Sequence, residues 1–227
     1  QGPITLELAL EWAAQRKDSQ PLSWARRLEI VRCFSKHEAI YDSRTQVPPR
    51  NIFCPAHRPP QPYLYSNYEI RALIRTASAL SPHHGLRPRT YVTLLGLLAC
   101  TGLRISEALN VTNNDVDLVQ GILTIREGKF HKSRLLPLSP DAVQVLDAYL
   151  AGRRARRPDT TTSAAPLIWK GGTAVHGYSG VRWSQRFHAL ARQAGVLTPD
   201  GQPPRVHDLR HTFAVHALLR WYRAGVD

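Results

Sequence analysis

The chain has 227 residues, 43% of them hydrophobic, which is ordinary for a globular protein that buries a sizeable core in two unequal units. Thirty Lys and Arg against 17 Asp and Glu leave a formal charge of +13, which turns the surface toward polyanions and puts nucleic acid ahead of anionic membranes or ribosomal surfaces without deciding between them. Three widely spaced cysteines, Cys33, Cys54 and Cys100, are odd in number, exclude a disulfide framework and fit a reducing cytosol.

The first elements are helical. Ile4 to Lys17 sets Leu6, Leu10, Ala13 and Ala14 on one side at helical spacing, and Ser23 to Tyr41 does the same with Leu28, Val31, Phe34 and Ile40, the two meeting near Pro21. From Arg44 to Pro62 the pattern gives way to six prolines, which cannot continue a helix. This predicts a partial helical unit over 1–45, a Pro-rich linker over 46–64 and a second domain over 65–227. Cys54 and His57 have half of a zinc spacing with no second pair to complete it, so a surface loop is expected and no metal.

In the second domain Ser66, with Glu69 three residues on, predicts a capping box for a helix whose buried face holds Ile70, Leu73, Ile74 and Ala77. Thr90 to Ala99 is nearly apolar all round and belongs at the core; its end at Gly102 delivers Arg104 to the start of the next helix. No run approaches bilayer-crossing length, since the longest, Tyr91 to Cys100, is bounded by Arg87, Arg89 and Arg104.

Gly121 to Arg126 and Ser133 to Leu138 read as a hairpin with a basic tip, and Pro137 marks an edge position or strand end. Ser139 or Pro140 then opens a helix, Arg153 to Ser163 reads as a mobile basic loop, and helices resume over Ser179 to Ala194 and His207 to Arg223. The expected fold class is mainly α with a small antiparallel β-sheet.

Breaking a phosphodiester without a metal needs cations on both non-bridging oxygens, an acid for the departing oxygen, and a nucleophile. Arginine suits the first task because its fixed fork pairs with two phosphate oxygens and keeps its proton; the candidates are Arg104 and Arg210. Glu107, at i+3 from Arg104, shares its helix face and suits either a support for the guanidinium or a surface ion pair. His207 and Arg210 have the same spacing, and an imidazole can donate or accept a proton near neutral pH. His211 lies about 100° round the helix from Arg210 and reads as structural or DNA-adjacent. Lys129 at the hairpin tip suits proton donation to a leaving oxygen or contact with a base edge, while Lys132 and Arg134 suit backbone phosphates. Arg153, Arg154, Arg156 and Arg157 would add to the same basic surface.

Thr101-Gly102-Leu103-Arg104-Ile105-Ser106-Glu107, Gly128-Lys129-x-x-Lys132-x-Arg134-x-x-Pro137-Leu138 and His207-x-Leu209-Arg210-His211 occur together in one order. In that order and approximate separation they resemble the tyrosine recombinases, the phage-integrase family that cuts and rejoins DNA. The resemblance covers Tyr65 to about Arg223, and residues 4–45 look similar to the C-terminal part of the family's helical core-binding domain.

The resemblance implies that Arg104 and Arg210 stabilise the phosphorane-like transition state, Lys129 is the general acid, His207 assists proton transfer and Glu107 supports. It implies a 3′-phosphotyrosyl intermediate, no cofactor, double-stranded DNA as partner, a homotetrameric synapse on DNA and a prokaryotic, nucleoid-associated protein of the integrase or transposition type. Family members carry a second His or Trp and then the tyrosine well downstream of the His-x-x-Arg motif, and Asp227 ends this chain before either position. The expectation is therefore a fragment truncated at both ends, with no nucleophile in the chain, inactive alone and monomeric. Tyr222 and Tyr178 lack the family's surrounding motif. The alternatives are a partner that supplies the tyrosine in trans and a non-catalytic DNA-binding relative, in which Arg104, Lys129 and Arg210 only neutralise phosphates. An RNA-binding or membrane-surface protein has only the charge in its favour.

Overall fold

The computed structural model describes the chain except for residues 1, 17–18, 57–60, 84, 127–132, 159–161, 170–179 and 226–227. It divides into two compact units, Gln1–Gln61 and Pro62–Asp227. No helix among the described residues is long and apolar enough to cross a membrane.

In the first unit α1 (Leu6–Ala14) begins at Thr5, whose side chain accepts from the Leu8 amide, and α2 (Pro21–Glu38) begins with its proline at the first turn. A proline there loses nothing, because that N–H would have no partner in the helix. The core is small: Ala9, Ala13 and Leu28, with Ile4, Leu10, Val31 and Phe53 packed on it. Two expectations need correction. Phe34 and Ile40, read as part of the buried face of α2, are exposed. The Pro-rich stretch is also not all connector: Gln46 donates its amide to the Ile4 carbonyl and accepts from the Leu6 amide, and the Phe53 ring meets Trp24 edge-on. Apolar and hydrogen-bonding side chains between the prolines suffice to hold residues 46–53 to the two helices.

The second unit carries α3 (Asn67–Ser78), α4 (Leu86–Thr101), α5 (Ile105–Asn110), a 3-10 turn, β1 (Val116–Asp117), β2 (Ile122–Ile125), β3 (Arg134–Pro137), α6 (Pro140–Arg156), α7 (Gly180–Gln193) and α8 (Asp208–Arg223). The Ser66–Glu69 capping box is present, and Ser139 caps α6. The described strands form one antiparallel sheet in the order β1-β2-β3, so Pro137 ends an edge strand, where its missing N–H breaks no ladder. The register pairs Leu123 with Leu136 and Ile125 with Arg134.

Helix α4 lies at the centre, against α3, α6 and α8. Leu94, Leu98, Leu103, Leu123, Trp183 and Phe187 are buried in one continuous core. A helix touched on three sides has to be apolar all round, as Thr90 to Ala99 of α4 nearly is, its exposed Arg87 and Arg89 standing in the first turn.

The mobile basic loop expected from Arg153 does not exist in that form, because α6 continues through Arg156. Arg153 is 1% exposed. Its guanidinium donates to the Pro166 carbonyl at 2.7 Å, to the Leu167 carbonyl at 2.5 Å and to Asn113 Oδ1 at 2.6 Å. A cation leaves water only where such acceptors replace it, so Arg153 is a structural residue and its expected DNA contact is withdrawn. Arg154 and Arg156 remain on the exposed side of the helix.

Candidate functional site

Helix α4 ends at Gly102, in the left-handed region at φ 63° and ψ 23°. The reversal sends the chain through Leu103, which is buried, to Arg104, the residue capping α5. Glu107, three residues into the helix, accepts from the Arg104 amide at 3.0 Å and from Arg104 Nη1 at 2.8 Å. The i, i+3 relation seen in the sequence is thus a one-way cap, in which the Glu107 carboxylate takes the Arg104 amide and also holds the guanidinium.

A second arginine shares this carboxylate. Arg134, at the start of β3, donates Nη2 to Glu107 Oε2 at 2.7 Å and Nη1 to Oε1 at 3.3 Å. The Glu107 side chain is 6% exposed. Burial alone would raise its pKa, but the hydrogen bonds from Arg134 and Arg104 outweigh that and hold it at about 2.

Arg210, on the first turn of α8, reaches the same place from 108 residues away by donating Nη1 to the Gly102 carbonyl at 2.6 Å. Burial lowers its pKa, and the charges of Arg104 and Arg134 lower it further, against the pull of Glu107. Three guanidinium groups therefore stand around one carboxylate.

His207 caps α8, with its ring edge-on to His211 at 5.0 Å between centroids. Burial lowers its pKa, and His211 and Arg210 push the same way, leaving a largely neutral imidazole at pH 7 that can accept a proton.

The base of α8 is braced by residues the sequence reading passed over. Arg205 grips Asp208 through its amide, Nε and Nη2 at 3.0, 3.1 and 2.7 Å. Thr212 Oγ1 donates to the Asp208 carbonyl at 2.9 Å and accepts the Tyr65 amide at 3.0 Å, and the Tyr65 hydroxyl donates to the Arg205 carbonyl at 3.0 Å. The Arg205–Asp208 pair has the i, i+3 spacing already used for Arg104 and Glu107, so that rule would have found it. Nothing in the sequence pointed to Tyr65.

Of the predicted site residues, the fold brings Arg104, Glu107 and Arg210 together and adds Arg134; His207 is within electrostatic reach of Arg210. Lys129 and Lys132 lie outside the described residues, as do His57 and Tyr178. Arg157 caps the C-terminal end of α6 and stacks its guanidinium on the Trp169 ring at 5.9 Å. Tyr222 is 85% exposed near the end of α8, twelve residues or about 18 Å along the axis from Arg210. Chemically, fixed guanidinium groups beside a neutral imidazole suit a tetrahedral anion with several acceptor oxygens.

The family model described as the phage integrase family matches residues 65–226. A putative integrase/recombinase y4rB of Sinorhizobium fredii is 40% identical over 228 residues, covering 99% of this chain and 72% of that protein. The tyrosine recombinase XerD of Staphylococcus epidermidis is 29% identical, covering 86% of this chain and 62% of its own length. Among solved structures, the XerH site-specific recombinase bound to a palindromic difH substrate in a post-cleavage complex shares the fold at a TM-score of 0.66 and 17% identity, over 96% of this chain and 60% of that one.

Proposed function

This chain belongs to the phage integrase family of tyrosine recombinases, and on that premise we propose that its guanidinium cluster holds the scissile phosphate of double-stranded DNA during cleavage and rejoining through a 3′-phosphotyrosyl link. The observation that carries the reading is the 2.6 Å hydrogen bond from Arg210 to the Gly102 carbonyl, two residues before Arg104.

Arg104 and Arg210 take the non-bridging oxygens and stabilise the added negative charge of the pentacoordinate phosphorus. A tyrosine oxygen bonds to phosphorus, the bond to the 5′ oxygen breaks, Lys129 gives that oxygen a proton, and His207 accepts the proton of the phenol. Rejoining reverses these steps with a 5′ hydroxyl of another strand. The phosphodiester energy is kept in the phosphotyrosyl bond, and the arginines supply the neutralisation for which other enzymes use a metal. Arg154, Arg156, Arg157, Lys132 and His211 meet DNA outside the reacting phosphate. In a bacterial cell this work belongs at the nucleoid.

Tyr222 cannot serve as the nucleophile in this arrangement, because about 18 Å of rigid helix separates it from Arg210. On this reading the 227 residues alone bind DNA without cutting it and are monomeric in solution, while the complete protein forms a tetrameric synapse. Covalent protein–DNA product from the 227 residues on nicked duplex would refute the first statement, and a tetramer of the 227 residues in light scattering the second.

The test of the reaction uses protein expressed from the complete coding sequence and a duplex selected by binding from a randomised pool. Arg210→Lys should abolish covalent product while leaving DNA affinity within about threefold, whereas Arg154→Lys should leave the product yield unchanged. Equal, minor effects of both would make the chain a DNA-binding relative without catalysis.

A further inference from the structure

We propose that Arg134 is a positioning residue of the site: it occupies the Glu107 carboxylate so that Arg104 keeps its charge and its free N–H groups for the phosphate. The inference rests on the recombinase reading above and assigns Arg134 a task different from a DNA-backbone contact.

Glu107 accepts four hydrogen bonds from two elements. Two come from Arg104, through its amide and one guanidinium nitrogen, and two from Arg134 at 2.7 and 3.3 Å. The Arg134 guanidinium is thus the one that spans both carboxylate oxygens, while the Arg104 guanidinium commits only Nη1, to Oε1. An arginine facing a buried carboxylate alone closes into a two-armed pair with it. In such a pair Arg104 would lose the arm that a phosphate needs, and its charge would be cancelled by Glu107. With Arg134 present the three groups carry one net positive charge, and Arg210 adds a second.

The placement of Arg134 agrees with this. Its side chain is 35% exposed and turned to Glu107. It opens β3, five residues after Lys129 in the sequence, so the shared carboxylate ties the hairpin to the cap of α5.

The experiment, on protein expressed from the complete coding sequence, compares wild type, Arg134→Ala, Arg134→Lys, Glu107→Gln and the Arg134→Ala/Glu107→Gln double variant in single-turnover cleavage, with DNA affinity measured against salt. Arg134→Ala should slow cleavage at least tenfold with affinity and salt slope unchanged, Arg134→Lys should recover part of the rate, and the double variant should be no slower than Glu107→Gln. Losses that add in the double variant, or a salt slope reduced by about one charge, would overturn the proposal and make Arg134 a phosphate contact. If Arg134→Ala does not fold, Arg134→Lys with and without Glu107→Gln gives the same comparison.

Should wild type fail to cleave at all, the recombinase reading falls, and the carboxyl ¹³C titration of Glu107 decides this inference separately. Removal of Arg134 should raise the titration midpoint from about 2, and an unmoved midpoint would refute the tie.

Discussion

Replacing Gly102 by alanine tests how the site is assembled. A Cβ there would lie 2.4 Å from Phe213 Cδ1 and 3.0 Å from its Cγ. The residue would also hold φ at 63°, which costs an L-amino acid about 1–2 kcal/mol, and crowding the Phe213 ring adds about 1–3 kcal/mol. The expected loss is about 3 kcal/mol, a fall in unfolding midpoint of roughly 6–12 °C for a unit of this size. Phe213→Ala removes the crowding and leaves the backbone cost, so in that background Gly102→Ala should cost about 1–2 kcal/mol. Thermal and urea unfolding of the four proteins measures both values. A loss below about 0.5 kcal/mol in the wild-type background would show that the turn does not need glycine, and equal losses in both backgrounds would show that Phe213 is not what the Cβ meets. Because the Gly102 carbonyl holds Arg210, DNA cleavage by Gly102→Ala should fall more than its DNA affinity.

Three further outcomes follow from the same structure. Glu107 has its pKa held at about 2 in the fold, below its unfolded value, so its contribution is present above about pH 4.5 and is lost as pH falls toward 2. With its arginine partners about a third exposed, that contribution is about 1–2 kcal/mol, and Glu107→Gln should remove this part of the acid dependence in urea unfolding. For His207, whose pKa is lowered, protonation opposes folding, so stability rises with pH through the range up to about 6.5. Imidazole NMR should place its midpoint below 6.5 and His211→Gln should raise it, while a midpoint above 6.5 would contradict the burial and repulsion described here. Arg153→Ala strips the donor from three acceptors, the Leu167 carbonyl among them buried, and should cost about 2–4 kcal/mol, against less than about 0.5 kcal/mol for Arg154→Ala. In DNA titrations against salt, only Arg154→Ala should weaken binding by loss of a surface charge.

What was legible in the sequence was local. The Ser66–Glu69 box, the Ser139 cap, the nearly apolar Thr90–Ala99 run and the Arg104–Glu107 relation each depend on residues within a few helical turns, where spacing determines which side chains share a face. Arg153 misled because a run of arginines has the same composition in a solvated loop as in a helix whose one buried member finds carbonyl partners.

By itself the sequence determined the helix starts at Ser66 and Ser139, the basic character and the Arg104–Glu107 relation. Only the tertiary structure decided that Arg210 meets the Gly102 carbonyl, that Arg134 shares Glu107, and that Tyr65 braces the base of α8. These pairs lie 108, 27 and 147 residues apart, and no periodicity of a single element reaches that far. Packing around α4 closes those loops, and the geometry of closure chooses which buried donor finds which acceptor.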